Sequence, residues 1–383
     1  MSISPTAWKS GGTRKRRSMI AARILKLFAP GPESAGFHLE IEFEAAAGVT
    51  ALYGPSGSGK TLTLECIACF TTPDAGRILL DDRILFDGEA RVNLTPQQRS
   101  CGYVFQNHAL FPHMTLRENL AFAAYALPRL ERHRRIAEQL DTFKLTTMAG
   151  RYPHELSSGQ KQRGSIARAL MAEPRIVLLD EPGRGLDAAL RTDLHSLIRE
   201  LKDSLKVPVL LVTHDPEECL ALADRVLIYD AGKIVHSGSP GELLKNPGTS
   251  EAARLLGGFI VYDAEVVSLD PSRQTSTLRL LGEEVQGPYL RGCFKGDRVT
   301  VCTRPEELIL HTQPGDNHIP GQLRHIVNRP QAIRAYFGND LLVDVPRELW
   351  QSLEETGRRT GWWIEIPPRS LRQLSGSRTP SDR

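Results

Sequence analysis

The stretch Gly54-Pro55-Ser56-Gly57-Ser58-Gly59-Lys60-Thr61 fits the pattern G-x-x-x-x-G-K-[ST] without mismatch. Residues in that order suit the cradling of phosphates. Glycines let the backbone wrap so that several N–H groups point inward, and a following helix adds its positive end. Lys60 is expected to bridge a β- and a γ-phosphate as a point charge, and the Thr61 hydroxyl to ligate Mg²⁺. The apolar strand Ala51-Leu52-Tyr53 precedes the loop and a helical run from Leu62 to Phe70 follows it. A glycine-rich turn opening a helix by chance is the plain alternative, and this strand–loop–helix setting argues against it.

A second group of residues completes a nucleotide hydrolase. Arg175-Ile176-Val177-Leu178-Leu179-Asp180-Glu181 runs through apolar residues into two acids. A buried strand would carry both carboxylates out at its C-terminal end, where such sheets bind ligands. Asp180 suits a Mg²⁺ partner, and Glu181 is placed to polarise an attacking water. Alone, the pair reads equally well as a capping acid on the next helix; beside a phosphate loop the catalytic reading prevails.

These residues need elements to hold them. Short apolar runs such as Ile176–Leu179 and Val209–Val212 alternate with helical patterns, which predicts a parallel sheet covered on both faces. Two alternating stretches, Ala22–Phe28 and Phe37–Phe43, read as half-buried strands. The charged run Leu130–Leu145 has no Pro or Gly, which suggests an inserted helical subdomain over about 115–165. Near residue 258 the pattern changes to short strands divided by turns, as in Asp297–Val301 and Asp340–Val345. That predicts a small β-barrel or sandwich. The expected organisation is a disordered basic extension over 1–19, an α/β domain over 20–245, a linker over 246–258, a β-rich domain over 259–372 and a disordered tail over 373–383.

Composition removes several classes. Of 383 residues, 48 are Lys or Arg and 45 are Asp or Glu, so the net charge of +3 gives little electrostatic case for nucleic acid. No apolar run reaches the roughly 18–20 residues of a membrane-spanning helix. Six cysteines are too sparse for a disulfide framework, and the lone pair Cys66-x-x-Cys69 has no second ligand pair for zinc. The basic run Arg14-Lys15-Arg16-Arg17 is not followed by the apolar stretch of a secretory signal, and the compartment reads as cytoplasmic.

Together with Leu156-Ser157-Ser158-Gly159-Gln160 and Thr213-His214-Asp215, these motifs resemble the ATPase subunits of ABC transporters. The LSxGQ-type signature, just before the helical run Lys161–Met171, separates that family from other phosphate-loop ATPases. The resemblance implies that ATP and Mg²⁺ are bound, and that Ser157, Gly159 and Gln160 meet the γ-phosphate held by a second copy of the chain. One loop and one signature per chain would then make two copies sandwich two ATP molecules. By the same resemblance Gln106 is the glutamine that senses Mg²⁺, so that Thr61, Gln106 and Asp180 form the metal set. His214 is the switch histidine beside catalytic Glu181 and Lys60, and Asp187 belongs to a loop crossing the dimer interface. Each has an ordinary alternative as a strand-end or capping residue. The sequence departs from the pattern at Ser158, where glycine is usual, and at Gly183-Arg184-Gly185. Phe28 or Phe37 is the nearest aromatic for an adenine ring, or either is core.

Within the family, a single cassette without spanning segments resembles an importer ATPase. The stretches 296–307, 319–323 and 335–343 resemble the oligonucleotide-binding-like (TOBE/Mop-like) regulatory domain of such importers. The stretches 82–87, 94–99 and 102–113 resemble molybdate importer ATPases most, and sulfate, ferric-iron and polyamine importers share much of them. The resemblance implies permease subunits in the membrane, met by residues from Gln106 to about Met114. It also implies an extracytoplasmic substrate-binding protein met indirectly, and a peripheral position on the cytoplasmic face of the inner membrane. The rivals are a soluble ABC ATPase acting on nucleic acid and an oxyanion-binding regulator with a nearly idle cassette.

Overall fold

A computed structural model describes residues 18–31 and 35–375 of the chain. The basic run at 14–17 lies outside the described residues. The expected extension ends earlier than position 19, because Ser18 Oγ and the Met19 N–H both donate to Asp81 Oδ1, at 3.0 and 2.9 Å. The chain divides into two compact units, 1–234 and 235–383.

The first unit runs β1 (Met19–Phe28), β2 (Phe37–Ala46), β3 (Gly48–Tyr53), α1 (Lys60–Ala68), β4 (Ala75–Leu80), β5 (Arg83–Asp87), β6 (Val92–Asn93) and β7 (Cys101–Val104). It continues with α2 (Leu116–Ala123), α3 (Arg129–Thr142), α4 (Ser158–Leu170), β8 (Ile176–Asp180), α5 (Ala188–Leu205), β9 (Pro208–Thr213), α6 (Pro216–Leu222) and β10 (Arg225–Asp230). The strand β11 (Lys233–Gly238) carries the chain across the division. One sheet has the order β2-β1-β4-β5-β6 and is antiparallel. The other has the order β11-β10-β3-β9-β8-β7, with parallel pairing from β10 to β7.

The continuous apolar runs have a simple cause. In β8, Ile176 and Leu178 enter one core with Leu52 and Leu64, while Val177 and Leu179 enter the other with Ile166 and Leu170. A strand buried on both faces has no polar side to alternate with. Parallel register also aligns the strand ends: Tyr53 lies beside Thr213, Val212 beside Asp180, and Leu179 beside Val104. The loops after β3, β7, β8 and β9 therefore open on one edge. The helical subdomain is α2 and α3 packed with α4 around Leu116, Leu120, Ile136, Leu140 and Ile166.

Arg99, inside a stretch that carries the resemblance to molybdate importers, does structural work. It is fully buried, and its guanidinium donates to the Cys66 and Ile67 carbonyls at 2.7 Å, to the Leu94 carbonyl at 2.9 Å and to Asn93 Oδ1 at 2.7 Å. The first two close the C-terminal turn of α1, whose last carbonyls lack helical partners. Arg99→Ala would remove all four bonds, leaving the Cys66 carbonyl and Asn93 Oδ1 only the weaker donors of Cys69, and is expected to cost roughly 3–5 kcal/mol. Calorimetric unfolding checks this, and an unchanged first transition contradicts it. Cys66 packs in the same core, and burial pushes its thiol up to about 12, which keeps it protonated.

The second unit holds α7 (Pro240–Lys245), α8 (Ser250–Leu256), β12 (Ile260–Asp270), β13 (Thr275–Leu280), β14 (Glu283–Pro288), β15 (Arg298–Thr303), β16 (Ile309–His311) and β17 (His318–Gly321). Then follow β18 (Leu323–Asn328), β19 (Ala332–Phe337), β20 (Leu342–Pro346), α9 (Arg347–Thr360), β21 (Trp362–Glu365) and β22 (Arg372–Gln373). Its strands form three sheets, β14-β13-β12-β15-β22, β16-β21-β17 and β18-β19-β20, around one core that includes Val266, Leu278, Val301, Phe337, Val343 and Ile364. The boundaries differ from the sequence expectation in three places, the first being that the units divide between Ile234 and Val235, ahead of the expected domain end at 245. The stretch 246–258 contains α8, whose buried Ala253 packs with Cys302 and Leu374 of the β-rich unit. Gln373 and Leu374 belong to the fold too, since β22 pairs with β15 and Leu374 is buried.

Candidate functional site

The loop from Gly54 to Gly59 joins β3 to α1. Gly54 has φ +156°, and a Cβ there would lie 2.2 Å from the Tyr229 carbonyl oxygen. Gly59, with φ +102°, caps α1 against Leu39 and Phe37. Both positions require glycine. Pro55, Ser56 and Gly57 are exposed and Ser58 is buried. Lys60 is 5% exposed, and its ammonium donates to the carbonyls of Gly54 at 2.9 Å and Pro55 at 2.7 Å, with Ser58 Oγ at 3.4 Å. Burial lowers the Lys60 pKa, while Glu181 and Asp180 pull it back up.

The second group stands on the neighbouring strand ends. Thr61 Oγ1 donates to Asp180 Oδ1 at 2.9 Å, and the Tyr103 hydroxyl to Asp180 Oδ2 at 3.3 Å. Burial pushes the Asp180 carboxyl up, and those two hydrogen bonds hold it down. Glu181 has φ +44°, unusual for a side chain with a Cβ, and its N–H donates to the Val212 carbonyl at 3.0 Å. Its carboxylate accepts from Gln106 Nε2 at 3.2 Å and Arg184 Nη1 at 3.1 Å, and His214 Nδ1 lies 3.3 Å from Oε1. Lys60, Thr61, Gln106, Asp180, Glu181 and His214 thus converge, although they come from four separate segments at the ends of β3, β7, β8 and β9.

Two residues here were not singled out for this place by the sequence. Tyr103 is the phenol on Asp180; its only signal is a polar-tipped ring near the end of the strand beside β8. Arg184, an oddity in the sequence, pairs with Glu181 as i,i+3.

The signature stands apart as its own capping box. Ser157 caps α4, with the Gln160 N–H donating to Ser157 Oγ at 3.3 Å and the Ser157 N–H to Gln160 Oε1 at 3.0 Å. The helix therefore starts earlier than the run from Lys161, and Ser158, Gly159 and Gln160 form its first turn. Ser157 and Ser158 are exposed, while Gly159 is buried, with Leu190 Cδ2 2.9 Å from where a Cβ would sit. Asp187 caps α5 by accepting from the Leu190 N–H at 2.9 Å. Phe28 and Phe37 are cross-strand partners; Phe37 packs toward the core near Gly59, and Phe28 is 46% exposed. After Gln106, His108 and Ala109 take left-handed backbone, and their carbonyls accept from Ser165 Oγ at 2.6 Å and Arg168 Nη1 at 2.7 Å. The loop is thereby fastened to α4, and its Phe111 ring meets exposed Phe122 of α2 edge-on, with centroids 4.8 Å apart.

The profile of the ABC transporter family matches residues 39–184. The chain is 40% identical to the molybdenum import ATP-binding protein of Rhodospirillum rubrum, over 62% of this chain and 64% of that one, so the match spans less than two thirds of that relative. It is 36% identical to the sulfate/thiosulfate import ATP-binding protein of Bradyrhizobium diazoefficiens, over 85% of this chain and 91% of the relative. A solved ATP-binding cassette, a dimer in a post-hydrolysis state bound to ADP and Pi, superposes with a TM-score of 0.51 at 27% identity, over 58% of this chain and 98% of that one. The chain belongs to the ABC transporter family, and the two relatives named here are import ATP-binding proteins.

Proposed function

We propose that the chain is the ATP-hydrolysing motor subunit of an oxyanion importer, with molybdate as the first cargo and sulfate as the second. The observation that carries the motor is the convergence of Lys60 and Thr61 with Asp180, Glu181, Gln106 and His214 at one sheet edge, and the likeness to molybdenum and sulfate import ATP-binding proteins supports the cargo. Backbone N–H groups from Ser56 to Thr61 and the Lys60 ammonium bind the ATP phosphates. Glu181 orients the attacking water and takes its proton, while His214 and Gln106 hold the carboxylate in place. Oxygen donors suit Mg²⁺: Thr61 Oγ1 and Asp180 Oδ1 lie 2.9 Å apart, and Gln106 uses its nitrogen on Glu181, leaving its oxygen to ligate. When bound, Mg²⁺ supplies charge stabilisation to the phosphates.

Ser157, Gly159 and Gln160 of a second copy complete the site over the γ-phosphate, with exposed Ser157 at a helix start. ATP closes this dimer and hydrolysis reopens it. No helix among the described residues is long and apolar enough to cross a membrane, so separate permease subunits supply the path. They dock on the fastened loop 107–114 and the exposed ring of Phe122, at the cytoplasmic face of the membrane, and an extracytoplasmic binding protein delivers cargo to them. The β-rich unit serves as an oligonucleotide-binding-like regulatory domain.

Uptake of labelled molybdate and sulfate, by cells carrying the wild type or Glu181→Gln, tests the cargo. Loss of molybdate uptake alone is expected. Loss of sulfate uptake alone moves the cargo to sulfate, and unchanged uptake of both removes the oxyanion reading in favour of polyamine or ferric iron.

A further inference from the structure

The β-rich unit carries a group of side chains that the ATPase reading does not use. In the sheet β16-β21-β17, Leu310, Ile319 and Ile364 point into the core. The period-2 alternation of strands then puts His311, His318 and Glu365 together on the opposite face. Register brings them together: Glu365 lies directly across from His318 on one side, and across from Ile309, two residues before His311, on the other. His311 Nε2 lies 2.9 Å and His318 Nε2 3.9 Å from Glu365 Oε2, and the two imidazoles stack with centroids 4.5 Å apart.

We propose that His311, His318 and Glu365 form a binding site for a divalent first-row transition ion, Zn²⁺ foremost. One donor atom from each residue falls within 4.8 Å of the others, close enough for small side-chain movements to bring all three onto one ion. Two imidazole nitrogens and a carboxylate, with no thiolate, are the donors that zinc and its neighbours prefer over Mg²⁺ or Ca²⁺. A second observation points the same way. His318 Nδ1 lies 3.2 Å from the Gln313 carbonyl oxygen, so that nitrogen carries the proton and donates it, leaving the Nε2 lone pair for a metal. A backbone carbonyl on the far nitrogen is the usual outer support of a metal-bound histidine, fixing tautomer and ring orientation. Gly315 lets the connecting loop lie against that ring, because a Cβ there would sit 2.7 Å from His318 Cε1. The three residues are half-buried, with side-chain exposures of 37% for His311, 10% for His318 and 29% for Glu365, so an ion can enter from solvent. Three protein ligands leave one position of a tetrahedral ion open to water or an anion.

The test is a titration of the full, nucleotide-free chain with Zn²⁺, and in parallel with Co²⁺, whose visible absorption reports its coordination. The wild type is expected to bind one equivalent that the variants lose. Glu365→Gln keeps an oxygen acceptor for His311 but removes the charge of a direct ligand, and is expected to weaken that equivalent by at least the roughly 10-fold that losing an outer partner costs. His311→Ala with His318→Ala is expected to abolish it, together with the matching Co²⁺ bands. Any ion held at Asp180 or by the cysteines stays in every protein, so the difference between proteins is the readout. Thermal unfolding without metal shows whether each variant is folded. If the double variant is not, Glu365→Gln decides alone. No saturable binding by the wild type, or equal binding by wild type and folded Glu365→Gln, overturns the proposal.

Discussion

Glu181→Gln is expected to lower steady-state ATP hydrolysis by roughly 10²–10⁴-fold, the range associated with removing a positioned general base. The substitution keeps the shape of the side chain and an oxygen that can still accept from Gln106 Nε2, now at 3.2 Å. It removes the ability to take a proton from water. The lost ion pair with Arg184 is a small matter, because Arg184 is 60% exposed and such pairs contribute little to stability. ATP affinity should therefore stay near that of the wild type while turnover falls. A phosphate-release assay and a nucleotide titration on the same preparation separate the two quantities. Turnover within a few-fold of wild type would remove Glu181 from the chemistry.

Lys60→Ala is expected to act on the other quantity. The Lys60 ammonium is the buried cation of the loop, held by the Gly54 and Pro55 carbonyls. On binding ATP it exchanges those neutral acceptors for charged phosphate oxygens. Charge-assisted bonds contribute roughly 1.5–3 kcal/mol each, so losing two weakens ATP binding by about 100-fold or more. Titration with a fluorescent ATP analogue measures this. An unchanged affinity in a variant with wild-type unfolding temperature would show that the loop does not hold the phosphates through Lys60.

Much of the site was legible in the sequence because its residues sit in short, rigidly spaced segments. Gly54 to Thr61 is one loop, Asp180 and Glu181 end one strand, and the apolar runs before them gave the parallel sheet that aligns the strand ends. What stayed hidden depends on contacts between distant segments. Tyr103 reaches Asp180 across 77 positions, and Arg99 closes α1 from 33 positions away. His311 and Glu365 are 54 positions apart and meet only through the register of β16 on β21. No local pattern marks such partners. Boundaries shifted for the same reason: Met19 is tied down by Asp81, and Gln373 by pairing with β15. The three-sheet arrangement of the second unit also follows from long-range pairing that short strands do not announce.

Ser157 and Gly159 of one chain are expected to complete the phosphate site around Lys60 of another. Light scattering on Glu181→Gln, with and without saturating ATP and Mg²⁺, tests it most directly. Blocked hydrolysis should hold the sandwich closed, so the mass should double from one chain to two when ATP is added, and Ser157→Arg in the same background should keep it at one. A Glu181→Gln protein that binds ATP yet keeps the mass of a single chain would contradict the account.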